Sequence, residues 1–340
     1  MEWSTAVEGV EKKAAKLSVT PLSLLLGLVK GKKAEEVPSA QGWDKEELEG
    51  RLGHVPYSAY LKNDGTLLAA LDALLKDGIL VLEDVPTKSK EGQQTELRKV
   101  VERMASVRRT WYGDLFDVKA EKGSKNIAYT NLDLGLHMDL THFAHPPRYQ
   151  FLHSLLNTNV TGGSSYFVDT FAICSHLHQH HPSAFETLCT EPLLFSYTSS
   201  DHATRFVRPV IELAPGSKAT VQAVNYSPPF QGPLVLERMI HNPGMTISSD
   251  DDRLADLHEA LRLFADLCDS PSMRFEKQLQ PGDCVVFDNR RVLHARTAFS
   301  WEEGKEGGRW LKGAYCDGDE VKSKWRVLDA RRAKEKGKGK

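Results

Sequence analysis

The spacing of apolar positions changes along this chain, and that change marks out its elements. Leu67, Ala70, Leu71, Leu74 and Leu75 recur at the i, i+3, i+4 spacing of an amphipathic helix, with Thr66 placed to cap it and Gly78 to end it. The run from Ile79 to Leu82 then reads as a buried strand. Leu97, Val100, Val101 and Met104 repeat the helical period, and Leu254, Leu257, Leu261 and Phe264 share one face of a further helix over Arg253 to Leu267. From Phe116 onward the pattern shortens to β-rich runs punctuated by Pro146 and Pro147, Gly162 and Gly163, Pro228 and Pro229, and the turn Pro281, Gly282, Asp283. Helices gathered ahead of many short strands predict an α+β chain built on a β-sandwich or barrel.

The ends differ from this body. Residues 1–50 mix Lys, Glu, Ser and Gly around one apolar patch, Pro21 to Val29, and read as an N-terminal appendage to a body spanning 51–330. That patch is far short of the roughly 20 residues that span a bilayer. It runs into Lys30, Lys32 and Lys33 rather than a small-residue cleavage site, so neither a membrane span nor a secretory leader is expected. Glu2, Glu8 and Glu11 weigh against a mitochondrial presequence without excluding one, which leaves a cytoplasmic location as the expectation. Residues 331–340 hold six basic residues and one Glu, and predict a disordered, solvated tail; contact with an anionic surface is the weaker alternative.

Composition narrows the function classes. With 340 residues, 44 Lys plus Arg against 46 Asp plus Glu, and 40% apolar residues, the chain can bury a large core and gives no electrostatic reason to expect nucleic acid. The five cysteines are odd in number, contain no C-x-x-C pair and are absent from the first 173 residues. This suits a reducing compartment and supports neither a disulfide framework nor a cysteine-rich zinc module.

The sharpest chemical signal is His137 with Asp139, because alternate residues of a strand project to one side. Taken alone that pair is better explained as a hydrogen-bonded His near a strand end, so a metal site needs a distant third ligand. His294 is the candidate: Cys284 to Phe287 reads as a buried strand, Asp288 to Arg290 as a turn, and Val292 begins the return strand that carries it. Two His and one carboxylate form the facial triad of non-haem Fe(II) oxygenases; a zinc hydrolase is the competing metal reading. Arg309, fifteen residues after His294 and beyond a Gly-rich loop, discriminates between them. Its planar fork suits the distal carboxylate of 2-oxoglutarate, whose keto acid end would chelate iron. The histidine-rich stretch His176, His178, His180 and His181 reads as the solvated face of a helix that Asp169 and Thr170 cap and Pro182 interrupts. Its His176 and His180 pair offers adventitious metal binding alone.

Several stretches then resemble one family, the Fe(II)/2-oxoglutarate-dependent dioxygenases of the taurine dioxygenase-like superfamily, and within it the γ-butyrobetaine dioxygenase branch. They are Asn126 to Thr130, Leu136 to Asp139, His145 to Pro147, Gln150 to His153, Thr161 to Asp169, Pro281 to His294, Arg309 to Asp317 and Asp319 to Leu328. The resemblance implies a double-stranded β-helix (jelly-roll) core flanked by helices. It implies iron on His137, Asp139 and His294, 2-oxoglutarate on Arg309 with Asn126 beside it, O2 as cosubstrate, and stimulation by ascorbate. An aromatic cage for a trimethylammonium group would fall on Tyr112, Phe116, Tyr129 and Tyr315, since aromatic faces attract a quaternary cation. It also implies hydroxylation of an unactivated C–H bond in a small substrate, γ-butyrobetaine or a similar compound, with release of succinate and CO2, and it is compatible with a homodimer.

Three departures bear on the substrate. Phe116 stands where the γ-butyrobetaine enzymes have Trp, Leu140 stands where the branch usually has an aromatic, and residues 1–120 hold no Cys and one His where those enzymes have an N-terminal zinc-binding domain. They favour, as the alternative, a relative recruited to tailor a specialised metabolite by hydroxylation, desaturation or ring formation. A non-catalytic binding protein is the remaining class, and the presence of all four chemical residues argues against it.

Overall fold

The structure is a computed structural model that describes residues 37–88, 95–119, 133–233, 252–301 and 308–338. Two compact units divide the chain, Met1–Ser39 and Ala40–Lys340. Only residues 37–39 of the first are described, and they form no helix or strand. All the elements below belong to the second unit.

In chain order these are α1 (Lys45–Glu49), β1 (His54–Pro56), α2 (Tyr57–Lys62), α3 (Asp64–Asp77), β2 (Ile79–Glu83), α4 (Glu96–Met104), β3 (Leu115–Lys119) and β4 (Leu134–His137). Next come β5 (Tyr149–Thr158), β6 (Val160–Gly162), β7 (Ser165–Asp169), α5 (Thr170–His180), α6 (Pro182–Thr190), β8 (Pro192–Thr198), β9 (Ala203–Pro209), β10 (Ile211–Leu213) and β11 (Val221–Val224). The last are α7 (Asp252–Cys268), β12 (Phe275–Lys277), β13 (Cys284–Asp288), β14 (Val292–Arg296), β15 (Phe299–Trp301), β16 (Gly308–Cys316) and α8 (Gly318–Lys338). Among the described residues, no helix is long and apolar enough to cross a membrane.

Two sheets organise the unit. One has the order β1-β2-β13-β5-β16-β3, the other β12-β7-β14-β4. Ile79, Val81, Leu152, Val285, Phe287 and Leu311 from the first sheet and Phe167, Phe275 and Val292 from the second bury one common core. The far side of the second sheet, through Tyr166, Val168, Leu293 and Ala295, packs with buried residues of α5, α6 and α7. Alternation therefore decides what each strand offers. In β14, Val292 joins the inter-sheet core while Leu293 and Ala295 face the helices, so His294 projects between the sheets.

Several elements begin or end away from the expected points. Helix α3 starts at Asp64 and its cap is Asn63, whose side chain accepts the Thr66 N–H at 2.9 Å; Thr66 lies inside the first turn. Gly78 ends it as expected, in the left-handed conformation. Pro182 does not merely interrupt the histidine-rich helix but opens a new one at its first position, where a missing N–H costs nothing. The division expected near residue 50 falls at Ala40, because Trp43 and Leu48 are fully buried in the inter-sheet core.

The basic C-terminal stretch is helical to Lys338 rather than disordered. Buried Val321, Trp325 and Leu328 hold α8 down, and the Trp325 indole donates to Asp72 at 2.5 Å. Its cations then meet acids on α3: Arg331 lies 3.5 Å from Asp64 and Arg332 lies 3.9 Å from Asp72.

A buried ion pair joins these parts. Arg291 (1% exposed) donates to Asp169 (0%) through Nε at 2.9 Å and Nη2 at 2.7 Å, and also reaches the carbonyls of Lys76 and Gln41. Asp169 accepts in addition from the backbone N–H of Trp43 and of Phe171. Removing one partner strands the other charge in the interior. We expect Arg291→Ala to lower unfolding stability by ~3–5 kcal/mol in urea titration; a loss below about 1 kcal/mol would show that the pair does not organise the fold.

Candidate active site

His137 ends β4, and its Cα pairs directly with that of His294 on β14. The two imidazole centroids lie 4.2 Å apart. Asp139 is not on the strand, as alternation had suggested, but in the turn just beyond it. There Leu140 takes a positive φ of 59°, a strained conformation for a side chain of this size. Asp139 Oδ1 then lies 3.4 Å from His137 Nε2. One ligand atom from each of His137, Asp139 and His294 falls within 4.8 Å of the other two.

Neighbouring groups fix these three side chains. The His137 Nδ1 is 2.8 Å from the Gly135 carbonyl, which leaves Nε2 for a metal. Asp139 Oδ2 accepts from Gln150 Nε2 at 2.8 Å and from the Tyr315 hydroxyl at 2.7 Å. Asn289 clamps the same turn through its amide: Oδ1 accepts the Asp139 N–H at 2.8 Å and Nδ2 donates to the Asp139 carbonyl at 3.0 Å. Sequence reading passed over Gln150 and Asn289 as chemistry, although both lie within the stretches that carry the family resemblance.

The electrostatics agree with a cation site. Burial alone would raise the Asp139 carboxyl, but the hydrogen bond from His137 and the nearby His294 hold it well below the usual carboxylate range. Burial, and then the neighbouring His137, push His294 down to about 3, so its imidazole is neutral and can donate a lone pair. Its buried Nδ1 has no hydrogen-bond partner among the described residues. Two imidazoles and an ionised carboxylate are the donor set of a facial iron site.

The three side chains line one cleft. Arg309, Tyr112, Phe116 and Tyr315 line it too, so the structure brings together seven of the nine residues singled out from sequence. The other two, Asn126 and Tyr129, lie outside the described residues. Arg309 is buried, donates to the Gly163 carbonyl at 3.2 Å, and shares the cavity with Arg296. Burial and that second guanidinium bring Arg309 down to about 9. Gly163 holds a φ of 75°, a left-handed conformation that favours glycine, and a Cβ there would also come within 3.3 Å of Arg309 Cδ. On the opposite flank of β16, a Cβ on Gly313 would land in the ring of Phe116, which stacks on Tyr315 at 4.9 Å.

Residues 37–315 match the family described as taurine catabolism dioxygenase TauD, TfdA. The chain belongs to that family. It is 38% identical over 293 residues to dioxygenase str8 of Strobilurus tenacellus, covering 84% of this chain and 65% of that protein. It is 34% identical over 274 residues to the γ-butyrobetaine dioxygenase of Pseudomonas sp. (strain AK-1), covering 80% and 65% respectively. The chain thus spans about 65% of the length of these two TauD/TfdA relatives. Among solved structures, an asparagine oxygenase in complex with Fe(II), 2S,3S-3-hydroxyasparagine and succinate shares the fold, with a TM-score of 0.56 at 14% identity over 77% of this chain and 93% of that one.

Two expectations follow. Gln150→Leu removes a hydrogen bond that orients Asp139, and should weaken Fe(II) binding by about 10–100-fold in anaerobic titration; unchanged affinity would mean that Tyr315 alone suffices. The second concerns pH. Burial pushes His142, beside the cavity, and His153, on β5, down to about 4. An unfolded His gains its proton near pH 6.5, so stability is full above that pH and falls as pH drops from about 6.5 toward 4. Thermal unfolding of the metal-free protein should show this fall, and His153→Phe should make it shallower.

Proposed function

We propose that this chain is an Fe(II)- and 2-oxoglutarate-dependent dioxygenase that hydroxylates an unactivated C–H bond of a small molecule, with a quaternary-ammonium compound such as γ-butyrobetaine as the leading substrate class. The observation that carries this reading is one cavity holding a His, Asp, His ligand set together with a buried arginine pair. We read the two sheets, packed around one core, as the double-stranded β-helix of this chemistry.

His137, Asp139 and His294 would hold the iron. With iron and 2-oxoglutarate in place, the centre supplies O2 activation, coupled to oxidative decarboxylation to succinate and CO2, and hydrogen abstraction from the substrate. The protein's own work is orientation and exclusion of water. Arg309 supplies the planar fork for the distal carboxylate of 2-oxoglutarate, and Arg296 adds positive charge that makes an anion welcome. Gln150 and Tyr315 occupy Asp139 Oδ2, which turns Oδ1 toward His137. Phe116 and Tyr315 form an aromatic wall on which an apolar or cationic group can lie.

Specialised-metabolite tailoring is the second reading, and one observation favours it. Leu140 and Phe116 line the cavity at the two positions that depart from the γ-butyrobetaine branch. The two readings share the same iron chemistry and differ in substrate.

Succinate release from 2-oxoglutarate by the Fe(II)-loaded protein, assayed with a panel of betaines, amino acids and neutral aromatic compounds, tests the proposal. His137→Ala should abolish release, and Arg309→Lys should raise the KM for 2-oxoglutarate about tenfold, because an ammonium cannot pair in two places. Undiminished turnover in His137→Ala would sink the assignment.

A further inference from the structure

The cavity contains a polar side chain that neither the ligand set nor the arginine pair uses. His142 lines the cavity and is 1% exposed. Its ring lies nearly parallel to those of Trp111, at 5.6 Å and 11°, and Tyr197, at 5.4 Å and 19°, while Phe230 meets it edge-on at 5.2 Å. The Nδ1 atom is 2.7 Å from the Thr204 hydroxyl on β9. That hydroxyl both donates and accepts, so it satisfies either tautomer. Nε2 has no hydrogen-bond partner among the described residues.

These facts describe a ring fixed in place, with one nitrogen spoken for and one left over. Burial keeps the imidazole neutral at ordinary pH. Its surroundings on the cavity wall, Leu140, Pro229 and Phe230, are apolar and cannot satisfy that nitrogen. Nε2 is not among the fully enclosed polar atoms that lack a partner, so it is open to the cavity, where a ligand group can pair with it. A site that carries such a nitrogen therefore rejects analogues lacking the matching group far more strongly than an apolar pocket rejects a missing methylene.

We infer that His142 is a substrate-recognition residue, whose fixed imidazole hydrogen-bonds an uncharged polar group, a carbonyl, hydroxyl or ether, carried on a flat apolar body that packs against the aromatic rings. This rests on reading the cavity as the substrate site of a dioxygenase, and it adds a recognition point to that reading. A trimethylammonium head lying on Phe116 and Tyr315 would leave His142 unpaired unless the same molecule also carries such a group.

Three matched probes separate the possibilities: acetophenone, ethylbenzene and phenyltrimethylammonium. Each is titrated by ligand-observed NMR into the Fe(II)- and 2-oxoglutarate-loaded protein under anaerobic conditions. Acetophenone should bind about tenfold more tightly than ethylbenzene. That preference should vanish in His142→Phe, which keeps a ring in the stack, and return in part in His142→Gln, which restores a hydrogen-bonding group. Phenyltrimethylammonium binding should be the same in all three proteins. The inference fails if the parent shows no preference for acetophenone over ethylbenzene, or if His142→Phe weakens all three probes equally. The Fe(II) and 2-oxoglutarate charge-transfer absorption, recorded on the same samples, reports the proposed function separately: its absence in the parent counts against the dioxygenase reading, whereas its presence with no acetophenone preference counts against His142 alone.

Discussion

The pair between Arg291 and Asp169 is the constraint on which the site's geometry depends. Two opposite charges with almost no exposure are tolerable only when every donor and acceptor is engaged, because desolvation otherwise exceeds their attraction. Here the engagement is collective. Gln41 and the backbone at Trp43 come from the start of the unit, Lys76 from the end of α3, Asp169 from the junction of β7 and α5, and Arg291 from the turn before β14. Val292 pairs with Asp169 in the same ladder that sets His294 against Phe167. A slip of one residue would send His294 to the helix side of the sheet. The ion pair pins that register three residues from the ligand.

Charge is arranged as strictly within the cavity. Asp139 is the one carboxylate among its described lining residues, and the imidazoles of His137 and His294 stand beside it. Arg296 and Arg309 supply positive charge in the same space, at an energetic cost that appears in the lowered proton affinity of Arg309. The two guanidinium groups outweigh the one carboxylate, so the cavity carries an excess of positive charge that suits an anion. Small residues make the arrangement sterically possible: Gly163 lets the Arg309 stem pass, and Gly313 lets Phe116 lie flat on the strand that carries Tyr315.

What could be read from the sequence follows from range. The periods of α3, α4 and α7 and the strands around His294 are local patterns, and they led to elements within a few residues of those observed. The turn read at Asp288 to Arg290 placed His294 on a return strand, and that strand pairs His294 with His137. Alternation misplaced Asp139, because the backbone of that residue is held in a turn by the amide of Asn289, 150 residues away. The basic C-terminal stretch looked disordered because its acidic partners, Asp64 and Asp72, belong to a helix at the other end of the chain. The rings around Trp111 come from four separate segments, and no spacing rule joins Trp111 to His142, Tyr197 and His202.

The Tyr315 hydroxyl spans two roles, since its ring is part of the aromatic wall and its oxygen bonds the carboxylate of Asp139. A substitution of Tyr315 that reshaped the aromatic wall would remove a hydrogen bond from Asp139 in the same stroke. Leu140, His142 and Phe230 line the same cavity, and none has a hydrogen bond to the ligand side chains among the described residues. His142 and Phe230 are therefore positions where a substitution can reshape the cavity without breaking a hydrogen bond to Asp139.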